Sequence, residues 1–277
     1  MIANPILKLR DPLDLPIGKM DLLTRILWQR GIRDEYEVEA FLSPKVEDLL
    51  DPFLLKGMKE AVGLVKLSLD RGDTICIYGD YDVDGMVSTS LLTRFFTDSG
   101  CPVQHYIPSR HEEGYGLNAQ AIQQLAESGI DLLITVDCGI TSVEEVGLAR
   151  LLGMDVIVTD HHQCPPILPN ANAIVNPHQP GCLYPNKNLC GAGVAFKWIE
   201  AFTRAQNQEM NVQRYLPFAA LATVADVVKL VGENRVIVKL GIPLMGKNEI
   251  AGFQALLKEC QIVSGELNAG HLGFQIA

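Results

Sequence analysis

From Thr74 onward, short apolar runs alternate with stretches whose apolar residues recur every three or four positions. The runs Thr74 to Tyr78, Val103 to Ile107, Asp131 to Val136, Asp155 to Thr159 and Ala173 to Val175 read as strands, being short and rich in β-branched residues. Between them Met86 to Asp98, Asn118 to Glu127 and Ser142 to Leu152 read as helices; Asn118 is a cap, and Gly129 ends its helix. That alternation indicates βαβ units, hence an α/β fold with a mostly parallel sheet flanked by helices. Ahead of it, residues 1 to 18 with Pro5, Pro12 and Pro16 look like an extended arm. Lys19 to Gly31, a helix capped by Asp34 and running to Leu42, and Gly57 to Leu69 form a helical N-terminal extension that packs on the core. After a Pro/Asn/Gly loop over 177 to 190, Val194 to about Ala205, Val212 to Ala225, and segments around 235 to 245 and 249 to 259 make the C-terminal part helical. The expected division is residues 1–70, 71–250 and 251–277.

In a parallel sheet the C-terminal strand ends share one edge, and ligands bind there. Asp80, Asp82 and Asp84, closed by Gly85, follow the first strand; on an extended segment all three face one side. Three carboxylates so close repel one another, so that stretch alone fits either a bound cation or a turn of solvated aspartates. Asp137 follows another strand and Asp160-His161-His162 a third, while Asp226, after the apolar helix Phe218 to Ala225, can reach back. A His pair by itself is by default a turn that binds nothing. Its arrival at the same edge as these carboxylates favours a metal site. Oxygen-rich sites with one or two imidazoles select Mn²⁺ or Mg²⁺ over structural zinc. So many carboxylates fit two ions about 3.5–4 Å apart, which clamp the attacking and leaving oxygens of a phosphoester or phosphoanhydride hydrolysis. A kinase is disfavoured, because no Lys sits in a glycine-rich phosphate loop.

Composition narrows the class. The seven cysteines are scattered without a close pair and read as small, reduced core residues of a cytosolic protein. No apolar run reaches membrane-span length, and the N-terminus lacks the pattern of a signal peptide. The net charge of −10 argues against a surface coated in basic patches. It leaves nucleic acid open, since a metal-binding carboxylate cluster is counted without its metals.

Asp80 to Gly85, Asp137, Asp160-His161-His162 and Asp226 resemble, in order, the four motifs of the DHH phosphoesterase superfamily. Gly79 to Gly85, Ile107-Pro108-Ser109-Arg110 before Glu113-Gly114-Tyr115-Gly116-Leu117, Cys190 to Lys197 and Thr223 to Val228 resemble the RecJ-type single-stranded-DNA-specific exonucleases. The likeness runs from about residue 20 to the end. It implies a DHH-type domain in a cytoplasmic bacterial 5′-to-3′ exonuclease of recombination and repair. Single-stranded DNA is then the substrate, two divalent cations, Mn²⁺ or Mg²⁺, the cofactors, and a repair helicase or single-strand-binding protein a partner.

Carried over by the resemblance, Asp82 binds one metal, Asp84 the other, and Asp137 bridges them; His161 and Asp226 complete the second site. His162 faces the scissile phosphate or a metal, and Asp160 orients an imidazole. Arg110 grips a phosphate, and Tyr115 stacks on a base or anchors its loop. Pyrophosphatase-like members place a metal-binding His where this chain has Tyr78, and Asp80 is the candidate replacement ligand. The family continues into a linking helix and further domains, and residues 251–277 look like the start of that linker. With few basic residues near the motifs, the chain is expected to hold single strands weakly and only with metal. The rival readings are a DHH-type hydrolase of nanoRNA, cyclic dinucleotides or pyrophosphate, and a catalytically silent scaffold.

Overall fold

The structure, a computed structural model, describes residues 21–247 and 250–277. The expected arm over 1 to 18, the first residues of the Lys19 helix and the start of the 249–259 helix lie outside the described residues. The chain divides after Pro44 into two compact units. In the first, α1 (Leu22–Gln29) is capped by Asp21, which accepts the Thr24 amide. Helix α2 (Glu35–Leu42) opens on a capping box: Asp34 accepts the Glu37 amide at 2.7 Å while Glu37 reaches back to the Asp34 amide.

The second unit holds α3 (Met58–Arg71), β1 (Ile75–Tyr78), α4 (Val83–Asp98), β2 (Gln104–Tyr106), α5 (Ala119–Glu127) and β3 (Leu132–Val136). It continues through α6 (Val143–Leu151), β4 (Asp155–Thr159), β5 (Ala173–Val175), α7 (Gly191–Ala205), α8 (Val212–Ala225), α9 (Gly232–Lys247) and α10 (Ala251–Glu259). All strand pairs are parallel, in the order β2-β1-β3-β4-β5. The order reverses between β1 and β3, so the crevice at their C-terminal ends is where a ligand is expected.

Strand alternation sends side chains to two cores. Ile75, Ile77, Leu132, Ile134, Val136, Ile157 and Val175 meet residues of α3, α4, α7 and α8 on one face. On the other, Cys76, Tyr78, Leu133, Val156 and Val158 meet Ile122 and Leu125 of α5 and Val146 and Ala149 of α6. Both faces are covered, which is why β1, β3 and β4 read as continuous apolar runs, whereas the edge strand β2 carries exposed Gln104 and His105. Helix α3 and Leu272 belong to the first of these cores, and Phe253 of α10 does too. Thus residues on both sides of positions 70 and 250 share one core.

Candidate metal centre

The turn after β1 differs from the extended segment expected of it. Helix α4 begins at Val83 rather than Met86, because Asp82 caps it by accepting the Gly85 amide at 2.9 Å. Asp84 therefore sits in the first helical turn, and the three aspartates do not share one face. Asp80 is fully buried with Oδ1 on the Tyr81 amide, Asp82 is exposed, and Asp84 turns inward. Gly85 makes this compaction possible: a Cβ there would lie 2.5 Å from the Asp80 carbonyl oxygen.

Asp137 leaves β3 in the left-handed region, φ 59°, which Asp tolerates better than most residues. Its Oδ1 lies 3.0 Å from Nε2 of His161, at the exit of β4. The same imidazole nitrogen is 3.8 Å from Asp84 Oδ2 and 3.8 Å from Asp226 Oδ2, Asp226 closing α8 as its C-cap. Two sets of donor atoms thus meet around His161: Asp84, His161 and Asp226, and Asp137, His161 and His162, each within 4.8 Å. Asp80 and Asp82 join neither set, although the charge of Asp82 is felt by Asp84, Asp137 and Asp226.

Asp160 holds the turn of the two histidines. Its Oδ1 accepts both the His161 and His162 amides, and His162 Nδ1 lies 2.8 Å from it; Oδ2 accepts the Ile140 amide at 2.9 Å. Burial pushes the Asp160 carboxyl up, but the His162 hydrogen bond and charge and these amides bring it below the usual range. The Asp160 contact in turn raises His162. The other ring nitrogen of His162 is 3.1 Å from the Tyr115 hydroxyl, so Tyr115 presents its polar end inward. Tyr115 also packs edge-on against Tyr81, and the Arg110 guanidinium sits 5.4 Å above the Tyr81 ring. Arg110 thereby stands at the mouth, joined to the centre through two aromatic rings. Tyr78 is elsewhere: it is buried, stacks on Tyr106 and donates to the Gly116 carbonyl, fixing the loop that bears Tyr115.

The carboxylates at the centre resist ionisation. Burial first, then Asp84, Asp82, Asp160 and Asp226, pushes Asp137 well above the carboxylate range. Burial also raises Asp84, although His161 and the α7 amides oppose it. Asp226 is pushed up to about 6, by burial before anything else. Burial raises Asp80 as well. Asp80 Oδ2, Asp137 Oδ1 and Asp226 Oδ2 are buried without a hydrogen-bond partner. Unpartnered carboxylate oxygens converging on an imidazole are a donor set for a hard divalent cation, so the residues fit Mn²⁺ or Mg²⁺.

The sequence reading missed what holds Asp84. The first amides of α7, Gly191 and Ala192, donate to its Oδ2 at 2.6 Å and its Oδ1 at 2.8 Å. A Cβ on Gly191 would lie 2.5 Å from that of Asp137 and 2.6 Å from its Oδ1. Helix α7 was expected to start at Val194; it starts at Gly191, whose missing side chain leaves room for Asp137. The run Gly191-Ala192-Gly193 after a long loop was the available signal.

A sequence model of the DHH family, N-terminal domain, matches residues 74–223. The chain is 43% identical over 92% of its length to the single-stranded-DNA-specific exonuclease RecJ of Bacillus subtilis (strain 168), of which it covers 32%. A crystal structure of exonuclease RecJ bound to manganese superposes with a TM-score of 0.73 at 35% identity, covering 80% of this chain and 56% of that one. RecJ from Thermus thermophilus in complex with Mn²⁺ gives a TM-score of 0.76 at 32% identity, covering 91% of this chain and 35% of that one. The chain spans about a third to a half of the length of the curated relatives first matched. The family match runs from just before strand β1 into α8, over more than half of the chain, and the chain belongs to the DHH family.

Proposed function

We propose that the chain is the metal-bearing part of a phosphodiester hydrolase that digests single-stranded DNA from the 5′ end. The observation that carries this is the meeting of two donor sets at His161, where buried oxygens of Asp137 and Asp226 share one imidazole and have no hydrogen-bond partner among the described residues. Asp84, His161 and Asp226 would hold one divalent cation, Mn²⁺ or Mg²⁺, and Asp137 of the other set would hold a second, for which Asp82 and Asp80 are candidate ligands from outside the two sets. Such a pair of ions supplies charge stabilisation for both the attacking and the leaving oxygen of a phosphate. Asp160 fixes the ring of His162 so that its outer nitrogen, beside the Tyr115 hydroxyl, is presented to the scissile phosphate. Arg110, carried on Tyr81, grips a phosphate at the mouth, as a planar fork suits. The names of the relatives, single-stranded-DNA-specific exonucleases, support the substrate. Acting on bacterial DNA, the enzyme would work in the cytoplasm. Among the described residues no helix is long and apolar enough to cross a membrane.

The test is calorimetric titration of chelator-stripped protein with Mn²⁺, followed by assay of a 5′-phosphorylated single strand, a cyclic dinucleotide and pyrophosphate. Two bound ions and release of mononucleotides from the single strand are expected. Hydrolysis confined to the cyclic dinucleotide or pyrophosphate would overturn the DNA reading, and absence of Mn²⁺ binding would overturn the metal centre.

A further inference from the structure

All the strands of the sheet end at the same edge, yet the roles above use only the exits of β1, β3 and β4, with Arg110 beyond β2. The exit of β5 is unassigned. It reads Asn176-Pro177-His178, and the structure fixes it with care. Asn176 is fully buried, and its side chain bridges two loops: Nδ2 donates to the His162 carbonyl at 3.0 Å, while Oδ1 accepts the His178 amide at 2.7 Å. The turn that bears the two histidines is thereby tied to His178.

The His178 ring is half-buried, and the Gln163 side-chain amide lies 3.4 and 3.5 Å from its two nitrogens. Burial, and then the charges of His161 and Lys187, lower its pKa, which places it within electrostatic reach of both. Lys187 gives two of its N–H groups to the carbonyls of Pro177 and Cys182 and keeps the third. The loop is pinned from the other side by Lys56, which donates to the Pro180 carbonyl, and by Gln179, which donates to the carbonyls of Lys56 and Ile174. From His161 to Ile199 there is no Asp or Glu, in a chain with 33 acidic residues. A rigid flank with a lysine, an imidazole and an amide, and no carboxylate, stands beside a centre crowded with carboxylates.

We infer that His178, Gln163 and Lys187 form a second phosphate-binding subsite, which takes the phosphodiester next to the one hydrolysed. The inference rests on the phosphodiesterase reading and extends it. Neighbouring strands lie about 4.8 Å apart, so the β5 exit is one step along the edge from His161, on the side away from Arg110. An oligonucleotide laid across the strand ends meets Arg110, the metal centre and then His178. A substrate with a single phosphate does not reach that far. Asn176 acts as a positioning residue, since it touches only backbone groups.

The experiment uses the Mn²⁺-loaded chain and two probes: thymidine 5′-phosphate, and a phosphorothioate-linked trithymidylate that resists hydrolysis. Because binding is read directly, the outcome does not depend on turnover, and a failure of the hydrolytic reading is seen separately in its own assay. His178→Ala is expected to weaken the trithymidylate about tenfold, as loss of a hydrogen bond to a charged group does, and to leave thymidine 5′-phosphate within twofold. Mn²⁺ stoichiometry is expected to stay as in the parent. Gln163→Ala, at an exposed position, is expected to weaken the trithymidylate about threefold. Unchanged trithymidylate binding in both variants would overturn the subsite. Equal loss of both probes, or loss of a Mn²⁺ ion in His178→Ala, would also overturn it by placing His178 in the metal centre.

Discussion

Beneath α7 the Lys197 ammonium is fully buried, 3.0 Å from Glu233 and 2.5 Å from Glu200, and it also donates to the Leu50 carbonyl. Arg204 pairs with Glu200, and the Tyr184 hydroxyl donates to Glu233 at 2.5 Å. At the strand ends Asp84, Asp137 and Asp226 are brought together, and among the described residues no Lys or Arg pairs with them; their basic neighbours are the imidazoles of His161 and His162. The first cluster is balanced by the chain itself, and the second is not. Burying charge without a partner is costly, and the proposed metal centre would offset that cost in the second cluster with a cation from outside.

The largest effect expected breaks the balanced cluster. Lys197→Met leaves Glu233 buried without its cation and Glu200 with Arg204 alone, and is expected to cost about 3–5 kcal/mol in urea unfolding. A loss below about 1 kcal/mol would show that the network contributes little. Asp137→Asn works on the other cluster with the opposite sign. It is expected to stabilise the chelator-treated protein at pH 8 while lowering hydrolysis by about 10²–10³-fold, or about 3–4 kcal/mol of barrier. Asp80→Asn is expected to cost less activity, because Asp80 lies outside both donor sets around His161. Equal losses in single-turnover cleavage at saturating Mn²⁺ would remove the central place given to Asp137.

Gly191→Ala disturbs the unbalanced cluster without touching any charge. The added methyl collides with Asp137 and shifts the amides that hold Asp84, so Mn²⁺ affinity is expected to fall about 10–100-fold. Gly252→Ala, with open space at its Cβ, is the control and is expected to bind as the parent does. Parent-like Mn²⁺ binding by the Gly191 variant would exclude α7 from the centre.

A pH series separates the clusters further. Asp226 is held at about 6 in the folded chain against 3.8 for an ordinary Asp, so its contribution to stability is complete below pH 3.8 and lost as pH rises through 6. Asp84, Asp137 and the raised His162 act in the same direction. The lowered Asp160 works the other way only in acid, and of these groups only the lowered His178 opposes them near neutral pH. Between pH 5 and 7.5 the unfolding temperature in chelator is therefore expected to fall by a few degrees, and added Mn²⁺ to cancel the fall, since metal binding favours the ionised carboxylates. A flat or rising curve in chelator would contradict the repulsion described here. The smallest effect concerns backbone strain beside the centre. Val227 follows Asp226 at φ 57° with its side chain 87% exposed, so no packing compensates a β-branched residue in the left-handed region. Val227→Asn is expected to stabilise by about 0.5–1 kcal/mol in the same urea experiment, with Mn²⁺ binding unchanged.

Local chemistry was enough for much of the architecture. The limits of β4, β5 and α8 follow from sequence alone, as do the caps at Asp34 and Asn118, because each depends on neighbours a few residues away. The parallel sheet then implies that Asp137 and Asp160-His161-His162 share an edge with the aspartates after β1. Tertiary structure decided the rest. The start of α4 was settled locally, by the Asp82 cap, but what the inward-turned Asp84 would meet was decided by packing, which brings it to the amides of α7. Helix α7 is capped locally by Cys190, but its first two amides meet Asp84, which precedes it by more than a hundred positions. The separate duties of Tyr78 and Tyr115 depended on which loop each one reaches. A sequence displays periodicity, caps and motif order, all of which are local, whereas the approach of a carboxylate to a distant helix end is set by packing that no local pattern records.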